Sequence, residues 1–195
     1  NYPFICPATE YMSDLHVRRD ETLAAQYPID SMYYDITAAN IFKACLDDSH
    51  GHPVGAGAVI SEAFVENYRM TNAAMAAKRG TYIPAGTEVF NETLLGVVDY
   101  YQARANGAPA TEYEGLVLRP LVAMGEAEVI PLLTYVYHEY GALRMDGWGK
   151  LTEEAGSLFY ETVSKTYLWG GIYEINHEYS SMESIDGVTN PSSEH

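Results

Sequence analysis

Basic residues are scarce in this chain of 195 residues, which has 11 Lys and Arg against 27 Asp and Glu and a formal net charge of −16. Proteins that bind phosphate groups need clustered lysine and arginine. The scarcity therefore argues against a nucleic-acid partner and against an anionic membrane surface, and it favours a neutral or cationic substrate. Long apolar runs are missing too, since no stretch of about 18 apolar residues occurs that could span a membrane.

Cysteine is equally scarce. Cys6 and Cys45 are the only two, which is too few for a disulfide framework, and neither belongs to a C-x-x-C pair or has a convincing histidine partner in the sequence. They do not identify a redox compartment. A Gly-x-Ser-x-Gly elbow and a P-loop are also absent, so serine-based acyl transfer and nucleotide hydrolysis are poorly supported. The first residues carry no signal-peptide pattern, and we expect the chain to be a piece of a longer protein.

Apolar segments alternate with segments of helical period, which argues for parallel βα units in one α/β domain over residues 1–179, followed by a flexible tail at 180–195. Strands are predicted over 2–7, 29–36, 82–89 and 130–137. Helices are predicted over 12–27, 61–79, 94–105 and 151–167, with a further helix beginning at Thr37. The pair Gly55 and Gly57 lacks the third glycine of a dinucleotide-binding loop, so a doubly wound nucleotide-binding sheet is the weaker interpretation.

Polar residues follow successive predicted strands, at Asp35, at Glu88 and at His138-Glu139. A (β/α)8 barrel builds its active site in this way, from loops at the carboxyl ends of several strands. A complete barrel typically needs about 250 residues, however, and only four or five strands are recognisable here. We therefore predict a partial (β/α)8 TIM barrel, from roughly its third strand onward.

Asp35 and Glu88 are the candidate catalytic residues. A carboxylate held at a strand end is rigidly aimed, so Asp35 could act as a nucleophile while Glu88 protonates the leaving oxygen of a sugar. Either residue could instead be a helix cap or an ordinary polar residue at a strand end. Glu92 is a second candidate for the acid, or could orient it.

The loop at 47–53, DDSHGHP, allows two interpretations. His50 and His52 could ligate zinc, but zinc needs three or four ligands and a third is not evident nearby in the sequence. We prefer hydrogen bonds from these histidines to substrate hydroxyls and predict neither a metal nor a cofactor. The other predicted substrate contacts are Tyr34, Glu92, His138, Glu139 and Trp148. The 17 tyrosines suit sugar binding as well as a core, because each ring combines a flat apolar face with a hydroxyl.

Four motifs taken in order, ICP at 5–7, DSMYYD at 30–35, DDSHGHP at 47–53 and GTE at 86–88, resemble a bacterial family of TIM-barrel glycoside hydrolases distantly similar to endo-α-N-acetylgalactosaminidases. The resemblance covers residues 2–179. It implies a retaining mechanism on an oligo- or polysaccharide, with Asp35 ending the fourth barrel strand as nucleophile and Glu88 ending the next strand as acid/base. It also implies that the remaining barrel strands lie elsewhere in the parent chain.

Two other functions stay open at this point. One is a metal-dependent hydrolase that uses His50, His52 and Asp35. The other is a carbohydrate-binding barrel without catalysis, whose carboxylates are only structural.

Overall fold

The computed structural model describes residues 5–103, 117, 119–128, 130–146 and 157–174. The chain divides into two units, Asn1–Tyr101 and Gln102–His195. Among the described residues, no helix is both long enough and apolar enough to cross a membrane.

The first unit alternates helices with strands. Its helices are α1 (Glu10–Gln26), α2 (Thr37–Asn40) and α3 (Ala58–Arg79), and its strands are β1 (Met32–Tyr34) and β2 (Ala85–Glu88), with β3 (Tyr100–Ala103) beginning at its end. Short 3-10 helices lie at Asp48–His50 and Glu92–Leu94. β1 and β2 are parallel, with Met32 opposite Ala85 and Tyr34 opposite Thr87.

The second unit contains the helices α4 (Arg119–Ala123), α5 (Leu132–Tyr137) and α6 (Ser157–Leu168), and the strands β4 (Ala142–Asp146) and β5 (Ile172–Glu174). β4 and β5 are also parallel, with α6 connecting them in the chain. The predicted α/β class is thus confirmed as a mixed fold with parallel strands.

α1 begins at Glu10, two residues earlier than the sequence predicts. Thr9 is its cap, because the Thr9 hydroxyl accepts from the backbone N–H of Met12. The Ser13 hydroxyl donates to Oδ1 of the buried Asn67 at 2.6 Å. The nitrogen of the same Asn67 amide donates to the carbonyl of Pro7 at 3.0 Å. One buried amide thus joins α3 to both α1 and the segment that precedes α1.

α3 packs on the rest of the unit through one stripe of its surface. The buried positions recur at intervals of three and four residues, which is the period of a helix face. They are Ile60, Phe64, Asn67, Tyr68, Thr71 and Met75. The helix ends at Gly80, as predicted, because Gly80 adopts the left-handed conformation (φ 71°) that closes many helices.

The core of this unit lies where α1, α3 and the start of the sheet meet. Ala24, Met75 and Ile83 are at most 1% exposed, and the partly buried Ile29 and Met32 pack against them. This packing fixes β1 and β2 against the two long helices. The carboxyl ends of both strands therefore have a rigid base.

Two predicted elements are wrong. The apolar segment 130–137 is not a strand but contains the helix α5, in which Leu132 is 62% and Tyr135 80% exposed. The helix predicted over 94–105 is replaced by the 3-10 helix Glu92–Leu94 and by β3.

Other predictions are tested only in part. Residues 5–7 lie in no strand, whereas the rest of the strand predicted over 2–7 is outside the described residues. α6 confirms the last predicted helix from Ser157 onward. The predicted tail, 180–195, also lies outside the described residues.

Candidate functional site

The two candidate catalytic carboxylates lie at the ends of strands that are paired in parallel. Tyr34 lies opposite Thr87. Asp35 directly follows β1, and Glu88 is the last residue of β2. The carboxyl ends of parallel strands meet at the same edge of a sheet, about 4.8 Å apart. The sheet therefore brings Asp35 and Glu88 to one edge, although 52 residues separate them in the chain. Asp35 is exposed, whereas Glu88 is 7% exposed.

Side chains of β2 hold the turn that follows β1. Oε2 of Glu88 accepts from the backbone N–H of Ile36 at 3.2 Å. The buried Thr87 hydroxyl donates to the carbonyl of Tyr34 at 2.9 Å and accepts from the N–H of Ala38 at 3.3 Å. Thr87 and Glu88 thus form hydrogen bonds to residues on either side of Asp35. The position of the Asp35 backbone therefore depends on that of Glu88.

Backbone strain follows each carboxylate. Ile36, directly after Asp35, has φ 46°, and Val89, directly after Glu88, has φ 65°. They are the only residues other than glycine with positive φ in the described part of the chain. A β-branched side chain rarely adopts this conformation, which costs about 1–3 kcal/mol per residue and is concentrated at functional sites. Strain beside both carboxylates marks this edge as the candidate active site.

Glycine at either strained position is expected to stabilise the protein. Ile36→Gly and Val89→Gly each remove a left-handed conformation that costs an L-residue about 1–2 kcal/mol. They add only about 0.5–1 kcal/mol of backbone entropy cost. Both side chains are largely exposed, 53% and 37%, so little burial is lost. Urea denaturation should give an unfolding free energy that is unchanged or raised by up to about 1 kcal/mol.

Val54→Gly is the matched control, because Val54 is 55% exposed and lacks the positive φ of the strained pair. Its unfolding free energy should be lower than that of the unaltered protein by about 0.5–1 kcal/mol. If Ile36→Gly and Val89→Gly destabilise the protein as much as the control does, the backbone at this edge is not strained.

Tyr34, a predicted substrate contact, belongs to the core. It is 9% exposed, and its hydroxyl donates to Oδ2 of the fully buried Asp20 on α1 at 2.7 Å. Arg19 pairs with the other oxygen of Asp20 at 2.6 Å, and its guanidinium lies 5.6 Å from the centre of the Tyr34 ring. Burial, reinforced by the Asp20 charge, raises the pKa of Tyr34 far above its usual value. These contacts attach the end of β1 to α1 and give Tyr34 a structural role.

His50 and His52 each contact one of the two cysteines. Nε2 of His52 is 3.2 Å from Sγ of Cys6, and Nδ1 of His50 is 3.2 Å from Sγ of Cys45. One ligand atom from each of these residues lies within 4.8 Å of the other three. Both cysteines are free and buried, and burial raises the pKa of the Cys6 thiol. The structure thus brings Cys6 and Cys45, which could also ligate a metal, beside the two histidines.

None of the remaining predicted site residues that the structure describes lies at the end of a strand. Glu92 is exposed at the start of a 3-10 helix. His138 and Glu139 lie in the second unit, exposed in the turn after α5 rather than at the end of a strand, and Nδ1 of His138 donates to the carbonyl of Thr134 at 2.7 Å. Trp148 lies outside the described residues.

A family model with the description "Domain of unknown function (DUF6259)" matches residues 2–147. The chain belongs to this family. The matched range contains both strand-end carboxylates and all four residues of the cysteine–histidine cluster. Comparison with curated proteins finds no match to the DUF6259 chain, and comparison with solved structures finds none either.

Sequence reasoning missed two features of this DUF6259 domain. The strain at Ile36 and Val89 has no sequence signal, because β-branched residues ordinarily extend a strand rather than end it in a left-handed turn. The contact between Cys6 and His52 had only a weak sequence signal. The ICP and DDSHGHP motifs both belong to the resemblance, but Cys6 and His52 are 46 positions apart in the chain.

Proposed function

We propose that this DUF6259 chain is part of a glycoside hydrolase that cleaves its substrate with retention, through Asp35 as nucleophile and Glu88 as acid/base. The observation that supports the proposal is the register of β1 and β2, which brings the two carboxylates to one edge of a parallel sheet. Glycoside hydrolysis in most families needs two carboxyl groups on either side of the scissile bond.

Retention rather than inversion is what the resemblance to TIM-barrel glycoside hydrolases implies. Carboxyl groups of retaining enzymes are about 5–5.5 Å apart, and those of inverting enzymes about 6.5–9.5 Å. Residues at the same level of adjacent parallel strands start from a backbone separation of about 4.8 Å. This backbone separation is compatible with the carboxyl spacing of a retaining pair.

The proposed reaction has two steps. The Asp35 carboxylate attacks the anomeric carbon and forms a glycosyl ester, while Glu88 transfers its proton to the departing glycosidic oxygen. Glu88 then takes a proton from water, the water oxygen attacks the anomeric carbon, and the ester bond to Asp35 breaks. The N–H of Ile36, which donates to Glu88, keeps the acid/base beside the nucleophile through both steps.

The proposed fold for the complete enzyme is a (β/α)8 barrel. Parallel strands with intervening helices support it, as do carboxylates at the carboxyl ends of two consecutive parallel strands, where barrel enzymes keep their active sites. The remaining strands would come from the rest of the parent chain. The net charge of −16 is compatible with an uncharged sugar polymer as substrate.

A metal-dependent hydrolase that uses His50, His52 and Asp35 finds less support. The ligand atoms that converge on the two histidines are the sulfurs of Cys6 and Cys45, and Asp35 does not belong to the group. A zinc site with four protein ligands has no open position for a substrate or a water molecule.

The test is hydrolysis of a panel of aryl glycosides by the full-length protein, with the first-formed anomer identified by proton NMR. We expect turnover of one sugar class and an initial product with the anomeric configuration of the substrate. An inverted initial product would contradict the assignment of Asp35 as nucleophile. Saturable sugar binding without turnover would instead identify a carbohydrate-binding barrel.

A further inference from the structure

We propose that Cys6, Cys45, His50 and His52 bind one zinc ion, in a structural site separate from the strand-end carboxylates. The two thiol sulfurs and two imidazole nitrogens all lie within 4.8 Å of one another. Zinc bound tetrahedrally by sulfur at 2.3 Å and nitrogen at 2.0–2.1 Å requires ligand separations of roughly 3.3–3.8 Å. The pairs Cys6–His52 and Cys45–His50, each at 3.2 Å, are already close to these values.

Each imidazole is oriented by an oxygen on its far side. Nδ1 of His52 donates to the carbonyl of Pro53 at 2.8 Å, so its Nε2 directs a lone pair toward Cys6. Nε2 of His50 lies 3.3 Å from Oδ2 of Asp47, so its Nδ1 faces Cys45. Histidines that ligate a metal almost always donate their other nitrogen to a carboxylate or a carbonyl in this manner.

Asp47 is itself held in position. One of its oxygens accepts from the backbone N–H of Ser49 at 2.9 Å and from the Ser49 hydroxyl at 2.6 Å. The other oxygen is directed at His50. The arrangement is that of a carboxylate–histidine–zinc triad.

Backbone pairing brings the loop ligands together without help from a metal. Cys45 and Gly55 exchange two hydrogen bonds, at 3.0 and 2.7 Å, which close the loop between them. Gly51 lies between the histidines at φ 76°, a conformation that favours glycine. The closed loop turns His50 and His52 back toward Cys45.

The opposite ligand, Cys6, is anchored by a second set of contacts. Its carbonyl accepts from both the hydroxyl and the backbone N–H of Thr9, at 2.8 and 3.3 Å. The next residue, Pro7, is held by Asn67 of α3. The site is therefore formed by two independently fixed segments, which is the preorganised arrangement that metal binding requires.

Charge and donor type favour zinc. A Cys2His2 set is typical of structural zinc sites. The charges of two thiolates balance that of a divalent cation, and the two imidazoles are neutral. The four ligands and the ion together therefore carry no net charge. The protein cysteines are 3% and 6% exposed, and neutrality suits such a buried position. Without the ion, a weak thiol donor would be the partner of the cysteine-facing nitrogen of each ring.

Metal analysis of tag-free protein, purified without chelator and exhaustively dialysed, tests the proposal. We expect one zinc ion per chain. Cys6→Ser and Cys45→Ser should each reduce bound zinc by roughly fivefold or more, because a site with three strong ligands loses most of its affinity. His138→Gln is the control; His138 lies in the second unit, and the variant should retain the zinc.

A second measurement uses the unaltered chain and does not depend on whether a variant folds. Removal of zinc by a strong chelator should lower Tm by about 10 °C, and stoichiometric zinc should restore it. Cobalt in place of zinc should give the visible absorption of a tetrahedral thiolate site. Less than a tenth of an equivalent of metal after reconstitution would overturn the proposal. A Cys6–Cys45 disulfide in protein handled under reducing conditions, or full zinc retention in Cys45→Ser, would also overturn it.

Discussion

Asp35→Asn in the full-length protein is expected to abolish the proposed turnover of every aryl glycoside, whatever the leaving group. The amide cannot form the glycosyl ester, so the first step of the proposed reaction has no nucleophile. Asp35 is exposed, and asparagine has nearly the same shape, so the fold should be unchanged by circular dichroism. Asp30→Asn is the matched control, since Asp30 is exposed and precedes β1 rather than following it.

Glu88→Gln should give a different kinetic signature. Loss of a general acid costs about 10²–10⁴-fold in rate. The loss in the first step should be largest for glycosides with poor leaving groups and small for activated aryl groups, which depart without protonation. The glutamine oxygen can still accept from the N–H of Ile36, the contact that Glu88 makes at 3.2 Å, so the turn after β1 should persist.

Kinetics on a series of leaving groups separates the two roles. Glu62→Gln, an exposed glutamate on α3, should keep the activity of the unaltered enzyme across the series. Full activity in Asp35→Asn or Glu88→Gln would remove that residue from the mechanism. A loss of kcat/KM in Glu88→Gln that does not depend on the leaving group would assign it a positioning role instead, because kcat/KM reports the first step.

Gly86→Ala is expected to cause the largest loss of stability among single substitutions at this edge, about 2–4 kcal/mol. A Cβ atom at Gly86 would lie 1.9 Å from Cε2 and 2.1 Å from Cζ of Tyr100. The Tyr100 ring covers the backbone of β2, and its hydroxyl donates to the carbonyl of Met32 on β1 at 3.1 Å. To make room, the ring would have to leave this position and break that hydrogen bond.

A double-mutant cycle with Tyr100→Ala tests this cause. Once the ring is removed, Gly86→Ala should cost less than about 1 kcal/mol in urea denaturation. Gly57→Ala is the control, because a Cβ atom there meets no other atom within 4 Å and the residue is extended. An equal cost of Gly86→Ala with and without the Tyr100 ring would show that the clash is not its origin.

The helices of the first unit could be predicted from the sequence because their signals are local. The apolar spacing of α3 and the glycine at position 80 are sufficient to locate its end. The segment 130–137 shows the opposite case. A short apolar run fits a buried strand and a helix equally well, and periodicity does not separate them. Here Leu132 and Tyr135 are exposed in a helix, so the assumption of burial produced the error.

The helix predicted over 94–105 was wrong for a related reason. Leu94 to Ala105 has a helical pattern of apolar residues, yet the Asn91 side chain accepts from the N–H of Thr93 and begins only a single 3-10 turn. The chain then becomes a strand in which Tyr100 covers Gly86 and bonds to Met32. Pairing between distant segments outweighed the local preference, as it commonly does for strands.

The amino-acid sequence alone was enough to establish the α/β class and the strand-end positions of Asp35 and Glu88, because each depends on local pattern. The parallel register that aligns the two carboxylates, the strain at Ile36 and Val89, and the convergence of Cys6 with the loop of His50 and His52 emerge only from the folded chain. These features join residues that are tens of positions apart. Such contacts depend on how helices and strands pack, and no local sequence signal specifies that packing.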